Sequence, residues 1–244
     1  DEAPPIFVPR PYDPENPEAI FENARMFIES DLGLRSPNLL ADDDGFVHIT
    51  PKVDEIGPQN KKEYLAAGRF FDLRSTFPDL DYRAHHFRLV DDLDEEGVDS
   101  ESKRQDNTTV SVRLTLRTTG TMTNALRLRK KRLPPTNATM ICPPEAATIT
   151  FDKKTGKITK LCSGFVMDRL VGNTDGLCDV QAAATIAGDQ PSDWEVFPPP
   201  LVLSRIFGRP VQRLEEPKSL DAPFPEGVLI SLAKGVIAAD NGAK

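Results

Sequence analysis

The chain has 244 residues, 39% of them hydrophobic, which is enough to bury the core of one domain with extensions or of two small domains. Its formal net charge is −8, which disfavours broad binding to nucleic acid, because contacts with phosphate groups need a basic surface. No apolar run approaches the roughly 20 residues that cross a bilayer, so we expect no transmembrane segment.

The chain begins with a proline-rich arm, residues 1–15, which we expect to be extended because proline disrupts helices. Asn16 then predicts the start of a helix, with Pro17 at its first position and Gly33 after its end. Apolar residues recur at helical spacing in this segment and predict one buried stripe, formed by Ile20, Ala24, Phe27 and Ile28.

Three further elements follow before the pattern changes. A short helix is predicted over residues 37–42, and a short strand over residues 46–50. A third helix is predicted over residues 60–74, with Tyr64 on its apolar side and a proline, Pro78, beyond its end.

From residue 82 onward the pattern becomes that of β-strands. Residues 82–90 predict one strand, and residues 108–122 alternate between apolar and polar side chains, with a bend expected at Gly120. Residues 146–168 predict a hairpin of two strands joined by a turn with the sequence Asp-Lys-Lys-Thr-Gly-Lys. Helices followed by a run of long strands indicate an α+β fold.

The predicted domain therefore covers residues 16–188. Residues 189–244 form a proline-rich C-terminal extension, in which residues 228–239 predict a short helix. Because proline-rich segments rarely become ordered alone, we expect both extensions to lie against the domain, a second copy or a larger complex.

The segment from residue 16 to 188 resembles a SnoaL-like domain of the NTF2-like superfamily. The resemblance depends on four stretches of sequence: Leu-Leu-Ala-Asp-Asp at 39–43, Lys-Glu-Tyr-Leu at 62–65, Phe-Pro-Asp at 77–79, and the closing strand 157–168. It implies a cone in which a curved antiparallel sheet packs its concave face against the N-terminal helices and surrounds a cavity for a small molecule. The chain is also similar to SnoaL-like proteins of photosynthetic eukaryotes.

The resemblance nominates Asp168, at the end of the closing strand, as a catalytic acid or base. An apolar cavity would favour this role, because burial raises the pKa of a carboxyl group toward neutrality. The structural alternatives are a salt bridge to Arg169 or a cap on the turn that follows.

Four other residues are candidates for the same site. Strand alternation predicts that His85 points toward the core or cavity with Phe87. Tyr64 would offer its hydroxyl to a ligand. Two further candidates are His48, which could pair with an aspartate of the run 42–44, and Glu145, which we expect to be buried or at a rim because it shares a strand face with apolar residues.

No metal ion or cofactor is expected. His85 and His86 are adjacent on a strand and face opposite ways, so they cannot chelate one metal ion. The three cysteines, Cys142, Cys162 and Cys178, lack zinc-binding spacing, and their low, odd number indicates a reducing compartment. Nucleotide-binding and hydrolase motifs do not occur in the sequence.

Two functions agree with these features. The first is a cavity that binds an apolar small molecule and acts as an isomerase, dehydratase or cyclase without a cofactor. The second is an accessory or assembly subunit, in a homo-oligomer or a larger complex, that docks through its extensions. The similarity to proteins of photosynthetic eukaryotes, together with a first residue other than methionine, leads us to expect a plastid location after removal of a targeting peptide.

Overall fold

The computed structural model describes residues 7–51, 57–90, 108–128 and 131–189, all within one compact unit, Asp1–Gly208. The helices are α1 (Glu18–Glu29), α2 (Lys61–Phe71), α3 (Leu73–Thr76) and α4 (Asp179–Ile186), with a 3-10 turn at Pro37–Leu39. The strands are β1 (Val47–Ile49), β2 (His85–Val90), β3 (Thr109–Leu116), β4 (Thr119–Thr121), β5 (Leu126–Arg127), β6 (Arg132–Leu133), β7 (Thr139–Ile141), β8 (Glu145–Asp152) and β9 (Ile158–Val166).

Five strands form the main sheet in the order β1-β9-β8-β3-β2. Neighbouring strands are antiparallel except at one edge, where β1 runs parallel to β9 and Val47 lies opposite Lys160. Register shifts interrupt the pairing of β2 with β3 and of β8 with β9, and such irregularities bend a sheet. The sheet is curved and does not close, so the predicted α+β arrangement is confirmed.

The core lies between α1 and the inner face of the main sheet. All four residues of the predicted stripe on α1 are buried, as are Val112, Leu114 and Leu116, which alternate with more exposed residues along β3. Ala147, Ile149 and Phe151 supply the matching face of β8. The helical period of 3.6 residues in α1 and the strand period of 2 residues in β3 and β8 thus identify the two faces that pack against each other in the core.

The predicted third helix is divided into two. Asn60 begins α2 with a capping box, in which its side chain accepts from the Glu63 N–H and the Glu63 carboxylate accepts from the Asn60 N–H. Asp72 then adopts a left-handed conformation with φ of 43°, so the chain turns before α3 begins. Its carboxylate caps α3 by accepting from the Ser75 N–H at 3.2 Å.

Several element boundaries were wrong. Pro17 rather than Asn16 occupies the N-cap of α1 and makes no side-chain cap bond. The helix expected over 37–42 is only the 3-10 turn, and the strand expected over 108–122 is interrupted between β3 and β4. The predicted helix over 228–239 and nearly all of the C-terminal extension lie outside the described residues.

The last residues of the N-terminal arm contact the domain. The Tyr12 N–H donates to the Lys153 carbonyl at 2.8 Å, and Arg10 and Asn23 exchange two hydrogen bonds. The arm has no helix over residues 7–15. Among the residues that the structure describes, no helix has both the length and the apolar character to cross a membrane.

Candidate functional site: a buried acidic cluster

Glu145 is the first residue of β8, and its side chain belongs to the apolar inner face of the sheet. It is 3% exposed, because it continues the alternation of Ala147, Ile149 and Phe151. The pKa of Glu145 is raised to about 8, mainly by burial and in addition by the charge of Asp179. The Gly164 N–H and the Cys178 thiol act in the opposite sense by donating to the carboxylate.

Asp179 lies at the start of α4, directly after the N-cap residue Cys178. The residue is exposed by surface area, and yet desolvation by the surrounding protein raises the pKa of its carboxyl group. Its φ of 53° is a strained conformation for a residue other than glycine, at a cost of about 1–3 kcal/mol.

Two tyrosines complete the cluster. Tyr64, on α2, donates to the Leu32 carbonyl at 2.7 Å, and Tyr82 donates to Oδ1 of Asp31 at 2.7 Å. Burial is the main cause that raises the pKa of both phenols. The charges of Asp31 and Asp179 act on both tyrosines in the same direction, which places the four residues within electrostatic reach of one another.

We call Glu145, Asp179, Tyr64, Tyr82 and Asp31 the buried cluster. Three elements and two loops of the domain supply its members: Asp31 follows α1, Tyr64 is on α2, Tyr82 precedes β2, Glu145 is on β8, and Asp179 begins α4. Arg74 contacts this cluster, because its Nε is 3.5 Å from Oδ1 of Asp31. The cluster therefore combines two neutral phenols with the carboxyl groups of Glu145 and Asp179, whose pKa values are raised.

Sequence reasoning identified only two of these five residues, Tyr64 and Glu145. Asp179 follows a glycine-rich turn, and the short helix that it begins was not predicted. Tyr82 was assigned to a strand that begins three residues later, at His85. No local pattern distinguishes Asp31 from the other aspartates, so the pairing of Tyr82 with Asp31 depends on the fold alone.

The placement predicted for His85 is wrong. His85 is exposed, and its Nδ1 lies 2.9 Å from the Arg83 carbonyl oxygen. The register of β2 shifts after His85, and His86 has a φ of 56°. This irregularity breaks the strict alternation from which the inward direction was predicted.

Asp168 lies beyond the end of β9, outside the buried cluster. It is exposed, and its Oδ1 accepts from the Leu170 N–H at 2.9 Å. This contact is the cap on the following turn that was the structural alternative to catalysis.

His48 does not form the expected pair with an aspartate. It is buried, its Nδ1 lies 2.9 Å from Oε1 of Gln59, and its Nε2 lies 3.0 Å from Oγ of Ser163. Burial lowers the pKa of His48, which favours the neutral ring. The ring also packs edge-on against Tyr64 at 4.9 Å, so His48 supports a member of the cluster.

Two cysteines lie beside the cluster. Cys142 is buried and Cys178 is half-buried, and their thiols are close enough to hydrogen-bond. That contact, followed by burial and the nearby carboxylates, raises the pKa of Cys178, so the thiol stays protonated. Nowhere in the described part of the chain do three His, Cys, Asp or Glu side chains converge as metal ligands.

The chain is similar to several proteins of known structure. No protein-family model matches the chain, and no curated protein matches it. An NTF2-like protein with a cystatin-like fold from Novosphingobium aromaticivorans is 10% identical, with a TM-score of 0.41 over 63% of this chain and 83% of that one. A candidate aromatic ring hydroxylase from the same organism is 11% identical, with a TM-score of 0.44 over 68% and 98% of the two chains.

A candidate SnoaL-like polyketide cyclase from Jannaschia is 13% identical, with a TM-score of 0.35 over 59% of this chain and 83% of that one. The similarity concerns the fold.

Proposed function

We propose that the domain binds an apolar small molecule at the buried cluster and moves a proton to or from it, with Glu145 as the acid or base. The observation that carries this proposal is the burial of Glu145 on the apolar inner face with a pKa of about 8. A group with such a pKa exchanges its proton readily near neutral pH, which is the property that general acid–base catalysis requires.

The other members of the cluster have distinct roles in this proposal. Asp179 raises the proton affinity of Glu145 through its charge. The phenols of Tyr64 and Tyr82 keep their protons. Each donates its one proton to a protein acceptor in the structure, so in this proposal the ligand oxygen on which negative charge develops displaces that acceptor and receives the hydrogen bond in its place. Proton transfer next to a stabilised oxyanion is the step shared by isomerases, dehydratases and cyclases, the reaction classes that the family resemblance implies.

The test measures proton abstraction without a known substrate. A panel of small cyclic ketones is incubated with the protein in deuterium oxide, and exchange of the protons next to the carbonyl group is followed by NMR. We expect exchange with at least one ketone, with a rate that rises through about pH 8 as Glu145 becomes a base. Glu145→Gln should abolish the exchange.

Two exposed candidates from the sequence, His85 and Asp168, serve as matched controls. His85→Ala and Asp168→Asn should leave the exchange rate unchanged, because both residues lie outside the buried cluster. If the rate falls in these variants and persists in Glu145→Gln, the assignment of Glu145 is wrong.

The second candidate function, an assembly subunit, is favoured by a different observation. Three apolar side chains at and beyond the end of β9 are exposed: Phe165 at 42%, Met167 at 62% and Leu170 at 96%. We propose that they contact a second copy of the chain. Light scattering should give a lower mass for Met167→Ser/Leu170→Ser than for wild type, whereas the control Val8→Ser, at another exposed apolar position, should keep the wild-type mass. Equal masses in all three proteins would argue against this assembly.

Docking through the extensions, a larger plastid complex and the reducing compartment stay predictions from the sequence. Residues 1–6 and 190–244 lie outside the described residues. Import of a tagged precursor into isolated plastids, with detection of the processed protein, measures the predicted location.

A further inference from the structure

A groove of about 310 Å3 opens where the small sheet of β4 and β7 meets the segment that precedes β2. Its lining includes four charged side chains, Asp79, Asp81, Arg83 and Arg117, and the hydroxyl-bearing residues Thr119 and Thr139. None of its lining residues belongs to the buried cluster, so the groove is a separate site.

Two of the four charges neutralise each other. Oδ1 of Asp81 accepts from the Arg83 N–H at 3.0 Å, and Oδ2 of Asp81 is 3.4 Å from Nε of Arg83. This contact closes a local turn, in which Arg83 has a φ of 41°.

The other two charges have no charged partner among the described residues. Oδ1 of Asp79 accepts from the Thr121 N–H at 2.7 Å, which lowers the pKa of Asp79 and keeps its carboxylate ionised. The Arg117 backbone N–H donates to the Tyr82 carbonyl, but its buried Nε has no hydrogen-bond partner in the described structure. No ion pair joins Arg117 to Asp79 in the same part of the chain, although both line the groove.

We propose that this groove binds a small zwitterion of the amino-acid type, whose carboxylate pairs with Arg117 and whose ammonium group pairs with Asp79. A guanidinium group recognises a carboxylate through two parallel hydrogen bonds. A simple anion would be repelled by Asp79 and a simple cation by Arg117. A ligand with both charges satisfies both side chains, and the threonine hydroxyls can donate to or accept from its polar atoms.

The test compares ligands that differ in one charge. Binding of glycine, β-alanine, 4-aminobutyrate, 5-aminovalerate, butyrate and butylamine is measured by NMR titration at constant ionic strength. We expect saturable binding of at least one zwitterion, at a concentration about tenfold lower than for butyrate or butylamine. The preferred spacing between amine and carboxylate then reports the separation of Arg117 and Asp79.

Matched variants locate the site. Arg117→Gln and Asp79→Asn should each weaken zwitterion binding about tenfold or more. Arg113→Gln makes the same change of charge at an exposed position on β3 outside the groove and should bind as wild type does. Arg117→Lys, which keeps the charge but loses the two-pronged geometry, should give intermediate affinity and covers the case in which Arg117→Gln does not fold.

Three results would overturn the proposal. Butyrate binding as tightly as every zwitterion would show a simple anion site. Equal weakening by Arg113→Gln and Arg117→Gln would show a general effect of surface charge. Failure of every zwitterion to saturate the wild-type protein would show that the groove is not a binding site for this class.

Discussion

Replacing Glu145 by glutamine should change how the stability of the protein depends on pH. Folded Glu145 keeps its proton up to about pH 8, whereas the unfolded chain releases it near pH 4.5. Between these values the folded state binds more protons than the unfolded state, so the free energy of unfolding falls as pH rises. The slope for one group is about 1.4 kcal/mol per pH unit.

Glutamine does not titrate, so Glu145→Gln removes this contribution. From pH 5.5 to pH 8.5, wild type should lose about 3 kcal/mol of unfolding free energy through Glu145. The variant should lose that much less over the same range of pH. A constant offset from the buried amide cancels, because only the difference between the two pH values is compared.

Urea unfolding at half-unit steps of pH measures this difference. Asp168→Asn is the control, because it makes the same change of charge at an exposed site and should follow the wild-type curve. Parallel curves for wild type and Glu145→Gln would refute the conclusion that Glu145 is buried in its protonated form.

Three further changes test other contacts. Asp179→Asn should lower the pKa of Glu145, because it removes a charge that raises this pKa. NMR titration of the Glu145 carboxyl carbon measures the shift, and an unchanged pKa would show that the two carboxyl groups do not interact. Tyr82→Phe should cost about 1–3 kcal/mol in urea unfolding, because the buried hydrogen bond to Asp31 is lost; no loss would mean that this bond adds no net stability. Gly156→Ala should lower the melting temperature and reduce the free energy of unfolding by about 2 kcal/mol or more. The φ of Gly156 is +68°, and the new methyl group would collide with a backbone carbonyl. A wild-type melting curve would contradict this prediction.

The sequence predicted the elements that have strong periodicity. The apolar stripe of α1, the alternation of β3 and the β8–β9 hairpin were identified because burial on one face imposes a period that local sequence records. The predicted boundaries of helices and strands were wrong where a single residue leaves the helical or extended conformation. Asp72 interrupts the predicted third helix in this way, and nothing in its local sequence indicates a left-handed residue.

The candidate site was less predictable than the fold. Glu145 was placed correctly on an inner face because one strand determines its direction. His85 was placed wrongly because a register shift in β2 interrupts the alternation. Asp31, Tyr82 and Asp179 come from distant parts of the chain, and their proximity follows from long-range packing that no single segment encodes.

The parallel pairing of β1 with β9 has a consequence for the order of events during synthesis. Strand β1 cannot pair with β9 until the ribosome has synthesised and released Lys160, which lies opposite Val47. The edge of the sheet is therefore completed late. Until then the apolar stripe of α1 has no β8 or β9 to cover it, and a nascent chain of this kind is exposed to aggregation. The β8–β9 hairpin needs only neighbouring residues, so it can form before β1 pairs with its edge.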